Sequence, residues 1–113
     1  VTARFAGTGV EVAAVALDAD GGLALPAVMR RLAEWQINEV LVECGPRLAG
    51  ALIRAAQVDE LLLYLAPCLL GEAARPLARL PGLERLADAP RWRLLDQWLL
   101  APDLRLRLAP ERE

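Results

Sequence analysis

The chain alternates short continuous apolar runs with stretches whose apolar positions recur at helical spacing. Val10–Leu17, rich in Val and Ala, reads as a first strand, and Asp18–Gly22 (D-A-D-G-G) as the turn after it. Pro26–Gln36 reads as a helix with Pro26 near its start. Val28, Met29, Leu32 and Trp35 form its inner face, and Arg30, Arg31 and Glu34 face water. Val40–Val42 is too short for a helix and suits a strand buried on both faces, ending at Glu43. Gly45 then allows a tight turn, and Pro46 suits the first position of a second helix, where its missing N–H is not needed. Leu48, Ala51, Leu52 and Ala55 predict an apolar stripe able to pack on a sheet, with Arg47, Gly50 and Arg54 on the opposite side. Leu61–Ala66 is another apolar run and reads as a buried strand with Tyr64 in the core. The order β-α-β-α-β predicts an α/β domain of parallel strands joined by right-handed crossovers.

The pattern then changes. Pro67–Pro90 holds prolines 67, 76, 81 and 90 and glycines 71 and 82, with weak helical hints around Leu77–Leu80 and Leu83–Ala87. A connection this long in a compact domain is a functional loop, a partner contact or a lid. Leu69, Leu70, Leu77 and Leu80 are therefore expected to be buried against the sheet or a second subunit. Trp92–Leu100 and Leu104–Leu108 (L-R-L-R-L) close the chain as an antiparallel hairpin turning at Ala101-Pro102-Asp103. Arg105 and Arg107 share one face, either solvated or salt-bridged at a subunit contact. At the other end, Val1–Gly9 reads as the tail of a helix that began upstream, so the domain is expected to be truncated.

Composition narrows the chemistry. An apolar content of 56% in 113 residues fits a folded domain or a piece of one, and excludes a disordered chain. A net charge of −2 with scattered arginines gives no nucleic-acid footprint, and no apolar run is long enough to span a bilayer. No basic-then-apolar leader opens the sequence, so a cytoplasmic setting is expected. The chain contains no His, Ser or Lys, and all 13 basic residues are Arg. Ser–His triads, Schiff-base lysines and histidine metal sites are thereby excluded, and two cysteines, Cys44 and Cys68, cannot build a four-cysteine zinc site. Each cysteine follows an expected strand, so both are expected at one sheet edge as free thiols rather than a disulfide. A reductase tolerates this narrow side-chain repertoire, because a nicotinamide cofactor carries the hydride.

The richest stretch is Ile37–Ala56. A strand turning through glycine into a helix leaves backbone N–H groups aimed past the strand's carboxyl end, with the helix dipole adding positive potential. Such a turn can hold a phosphate, and Arg47 can add a full charge. Glu43 places a carboxylate at the edge where open α/β sheets bind ligands. An ordinary strand–helix connection with an exposed acid and arginine accounts equally well for these residues alone.

Four motifs read together are more specific: V-L-V-E-C-G-P-R-L-A-G-A-L-I (Val40–Ile53), V-D-E-L-L-L-Y-L-A-P-C-L-L-G (Val58–Gly71), L-P-G-L-E-R-L-A-D-A-P (Leu80–Pro90) and D-L-R-L-R-L (Asp103–Leu108). In order and spacing they closely resemble the C-terminal reductase domain of the bifunctional bacterial riboflavin-biosynthesis deaminase/reductase. The resemblance implies a dihydrofolate-reductase-like mixed sheet and NADPH-dependent reduction of 5-amino-6-(5-phosphoribosylamino)uracil, whose ribose becomes a ribityl chain. It implies that Glu43 is the catalytic and substrate-binding acid. It also implies that Gly45, Pro46, Arg47, Leu48, Ala49, Gly50 and Ala51 meet the cofactor, with no metal. Three positions depart from the family pattern: Cys44 replaces a small Gly or Ala, Arg47 replaces Thr or Ser, and Cys68 replaces a common Lys. Such domains are about twice this length, so the chain is expected to be the later half of one. Alone it is expected to be inactive as a reductase and to form a homo-oligomer through this domain. An inactive dimerisation or binding module, or another NADPH-dependent reductase of the same fold, are the alternatives.

Overall fold

The structure, a computed structural model, describes residues 2–111, which form two compact units meeting in sequence at Leu41 and Val42. In the first unit, Thr2–Phe5 makes a short 3-10 turn in place of the expected helix tail; Val1 lies outside the described residues. The expected strand over Val10–Leu17 is not formed. Only Leu17 pairs, in a single antiparallel bridge with Leu23 across the D-A-D-G-G turn. That turn is well specified. The Asp18 carboxylate accepts from the N–H groups of Asp20 (3.0 Å) and Gly22 (2.7 Å), and Gly21 takes a left-handed φ of 76°.

Helix α1 spans Leu25–Glu34, with Pro26 in its first turn as expected. Val28, Met29 and Leu32 are half-buried, whereas Trp35, expected on the inner face, is exposed as the C-cap. Arg31 pairs with Glu34 at 2.7 Å one turn on. The helix ends through Gln36 (φ 60°), whose N–H reaches the carbonyl of Ala33 while Ile37 N–H reaches Leu32.

Val40–Val42 departs most from expectation. The segment belongs to no strand, and Leu41 is 77% exposed rather than buried on both faces. Apolar side chains alone do not make a strand; a hydrogen-bonded neighbour does. Neither this segment nor Val10–Leu17 has a ladder partner, so the predicted parallel β-α-β-α-β arrangement is absent among the described residues.

The second unit holds α2 (Pro46–Arg54) and a three-stranded sheet of β1 (Leu61–Leu65), β2 (Trp92–Leu100) and β3 (Asp103–Pro110), in the order β1-β3-β2. The C-terminal hairpin forms as expected. The sheet is wholly antiparallel, with β3 central: Leu61 faces Leu108 and Leu65 faces Leu104, while Trp98 faces Arg105 and Leu100 faces Asp103. A bulge between Leu94 and Asp96 interrupts the β2–β3 register. Alternation puts Leu104, Leu106 and Leu108 on one face against Leu61, Leu63 and Leu65. The other face carries Arg105 and Arg107. The Arg105 guanidinium stacks 3.8 Å from the Trp98 ring centroid, and Arg107 lies 3.6 Å from a Glu60 carboxylate oxygen. Tyr64, expected in the core, lies on this face and is 57% exposed.

Residues between β1 and β2 run irregularly apart from a 3-10 turn at Leu86–Asp88, as the proline spacing implies. Leu80 is half-buried, but Leu70 and Leu77 are exposed and Leu69 fully so; the chain's own sheet does not cover them. This segment instead packs on α2. Gly50, expected on the outer side of the helix, is buried against the backbone of Arg79. A Cβ there would collide with the Arg79 carbonyl oxygen and lie 2.7 Å from its carbon. The Arg79 N–H donates to the Pro46 carbonyl at 2.8 Å. Leu52 is 5% exposed and is the buried apolar side chain of the core among the described residues, while Leu48 of the expected inner stripe is exposed.

Gly50→Ala is expected to force the Arg79 segment off the helix and to destabilise the unit by about 1–3 kcal/mol, the usual range for overpacking. Thermal unfolding measures the loss. Amide hydrogen exchange at Arg79 reads the broken bond to Pro46 directly.

Candidate functional site

The start of α2 is built to leave donors free. Gly45 is the N-cap in an extended conformation, its carbonyl taking the first helical bond from Ala49 N–H at 3.1 Å, and no side chain caps the helix. Pro46 has no N–H to offer. The N–H groups of Arg47 and Leu48 have no acceptor among the described residues, so they point out of the helix start where its dipole is positive.

These donors open on a shallow hollow of about 440 Å³ lined by Cys44, Gly45, Pro46, Arg47, Leu48, Arg75 and Arg79. Four of the seven residues expected to meet a cofactor therefore line one concavity. Ala49, Gly50 and Ala51 do not line it; Gly50 serves it indirectly by admitting the Arg79 backbone. Glu43 precedes the turn by two residues, is exposed, and is not part of the lining. The expected sheet edge at Glu43 is absent, because Val40–Val42 is in no sheet.

Arg75 and Arg79 are the members that the sequence pattern does not reveal. They lie in the irregular segment, 28 and 32 residues beyond Arg47 in the numbering, and no periodicity marks them. The available signal is Gly50 itself, a residue that costs stability inside a helix and so points to a packing reason for its presence. Cys44 and Cys68 are both free and exposed, but only Cys44 reaches the hollow.

A second hollow of about 390 Å³ lies toward the other end of α2, among Ile53, Arg54, Leu80, Pro81, Gly82, Leu83, Asp88 and Pro90. Its acid is already engaged. Arg85 donates to both Asp88 carboxylate oxygens at 2.7 and 2.9 Å, and that pairing raises the Arg85 pKa above its ordinary value, slightly opposed by burial. No group of acids and cysteines able to hold a metal occurs among the described residues, and none of their helices is long and apolar enough to cross a membrane.

The chain thus combines helices and an antiparallel sheet with a glycine-turn helix start that opens on arginines. The family model described as the RibD C-terminal domain matches residues 2–106, and the chain belongs to that family. It is 51% identical over 88 residues to the riboflavin biosynthesis protein RibD of Escherichia coli K12, covering 78% of this chain and 24% of that protein. It is 30% identical over 86 residues to a 5-amino-6-(5-phosphoribosylamino)uracil reductase of Buchnera aphidicola, covering 76% of this chain and 42% of that one. The solved RibD of Acinetobacter baumannii superposes with a TM-score of 0.74 at 36% identity, over 82% of this chain and 28% of that structure. The chain spans about a quarter of the length of the RibD proteins it matches.

Both thiols are expected to titrate with a water-soluble disulfide reagent in the native state, giving two equivalents per chain. A single equivalent, or a slow second phase that awaits denaturant, is the contrary result.

Proposed function

We propose that this chain forms the later part of the reductase domain of an NADPH-dependent 5-amino-6-(5-phosphoribosylamino)uracil reductase, acting in riboflavin biosynthesis and converting the substrate's ribose to a ribityl chain. The observation that carries the reading is the start of α2, where two unpaired N–H groups and Arg47 share a hollow of the size that takes a ligand. Family membership and the name of the Buchnera relative support the choice of reaction.

NADPH, when bound, supplies the hydride. The residues of this chain bind and orient. The N–H groups of Arg47 and Leu48, reinforced by the helix dipole and the Arg47 guanidinium, bind phosphate oxygens and fix the cofactor's position. Gly45 keeps the approach free of a side chain. Glu43 orients the substrate through a ribose hydroxyl or holds a proton-bearing group beside the reacting carbon. Correct placement can be worth about 7–11 kcal/mol of barrier. A site with part of its walls loses most of that, so the 113-residue chain alone binds NADPH weakly and does not turn over.

A second role fits one specific feature. Leu69, Leu70 and Leu77 present exposed apolar side chains in the segment expected to meet a subunit, which supports assembly into a homo-oligomer through this domain.

Glu43→Gln in the full-length protein is expected to lower kcat for the ribosylamino substrate at least about a hundredfold, as for loss of a positioned acid or base, with folding unchanged. Undiminished turnover removes Glu43 from the mechanism. NADPH titration is expected to give tight binding to the full-length protein and weak binding to the 113-residue chain. No binding to either refutes the assignment of the helix start to the cofactor.

A further inference from the structure

The bulge in β2 decides which side chains join the arginine face of the sheet. Arg93 faces Ala109 and Leu94 faces Leu108, but the register then skips Leu95, so that Asp96 faces Arg107 and Trp98 faces Arg105. Without the extra residue, Leu95 and Gln97 would take those places, and Asp96 and Trp98 would lie on the leucine face. With it, a row of Tyr64, Arg105 and Trp98 crosses all three strands. Tyr64 and Trp98 are exposed, as are Leu62 and Leu100 on the same face. The charges of this face are incompletely matched. Arg107 lies near Glu60, whereas Asp96 and Arg105, both half-buried, make no ion pair among the described residues. An Asp96 carboxylate oxygen accepts from the Gln97 N–H at 2.7 Å, and the Arg105 Nε is buried without a hydrogen-bond partner.

We infer that a second copy of this chain docks on the arginine face, sheet against sheet about a two-fold axis. The inference rests on the homo-oligomer reading and supplies a contact for it. A two-fold axis sets a patch against itself, so that wherever one residue meets another the reverse contact forms as well. A face with one unpaired acid and one unpaired guanidinium is complementary to the same face turned over. Asp96 takes Arg105 of the second copy, Arg105 takes Asp96 of the second copy, and neither charge is left over. A partner carrying charge of one sign would match only one of the two. Tyr64 and Trp98 supply rigid, amphipathic contact area beside the pair, and Tyr, Trp and Arg are the residue types that dominate association energies. Facing sheets pack about 10 Å apart through interdigitated side chains, a spacing that such residues fill.

The test reads the dimer dissociation constant of the full-length protein by sedimentation over a wide concentration range. Wild type is compared with Asp96→Arg, Arg105→Glu, the double variant and Tyr64→Ala, and circular dichroism checks that each folds. Asp96→Arg and Arg105→Glu are each expected to weaken the dimer about tenfold or more, the scale of a central interface contact. The double variant is expected to recover most of the loss, because the pair re-forms with its signs exchanged. Tyr64→Ala leaves every charge in place and is expected to weaken the dimer to a similar extent. Where Arg105→Glu fails to fold for want of its stack on Trp98, Asp96→Arg and Tyr64→Ala decide the question. Association unmoved by these variants overturns the inference, and so does a loss in the single variants that the double variant does not recover. Lower thermal stability with unchanged association also overturns it, and assigns the face to a segment of the same polypeptide. If Leu69→Asp or Leu70→Asp dissociates the oligomer while the variants of the sheet face do not, the homo-oligomer reading stands and this contact falls. A wild-type protein that sediments as a monomer throughout overturns both.

Discussion

The contact between the backbone of Arg79 and the bare face of Gly50, with the bond from Arg79 N–H to the Pro46 carbonyl, decides the arrangement of the candidate site. The segment after β1 has no ladder and little regular structure to hold it. Two backbone-level constraints replace them: an absent methyl group that permits close approach, and a hydrogen bond that fixes its position along the helix. Leu52, two residues on and so on another side of the helix, is the buried apolar side chain of the core among the described residues. The hollow is bounded by this segment where Arg79 lies on the flank of α2 and its N–H reaches back to Pro46 at the helix start.

The sheet follows a separate logic. β3 is central, and its strict alternation sorts leucines to one face and arginines to the other. A register slip by one residue would exchange them, so the pattern specifies the pairing strongly. On the arginine face, the Arg105 guanidinium sits over the Trp98 ring, and its Nε is buried without a hydrogen-bond partner. Arg107 takes the other option and sits near Glu60.

The two helices and the hairpin are legible in the sequence because their signals are local. Proline at a helix start and L-R-L-R-L alternation act within a few residues, and α1, α2, β2 and β3 fall close to where those signals put them. Val10–Leu17 and Val40–Val42 mislead because a strand is a property of two segments, and apolar runs say nothing about whether a partner is at hand. Gly50 misleads for a related reason. A helical wheel locates the inner face by apolar bulk, whereas this helix makes its closest contact where bulk is missing. Arg75 and Arg79 join the hollow through the fold alone, so sequence proximity does not connect them to Arg47. Gly45, Pro46, Arg47 and Leu48 are legible as a group because they are consecutive, and the four-motif resemblance to the riboflavin reductase domain is matched by family membership. Glu43 remains tied to the site by resemblance, since it does not line the hollow.

Both helices reverse the chain without glycine. α1 exits through Gln36 at φ 60° and α2 through Ala56 at φ 51°, each followed by an amide that reaches back to the helix. A side chain in that left-handed region carries a penalty of about 1 kcal/mol that glycine does not. The protein therefore holds an untapped margin of thermal tolerance at two positions, where glycine would relax the backbone without altering a residue that lines the arginine hollow.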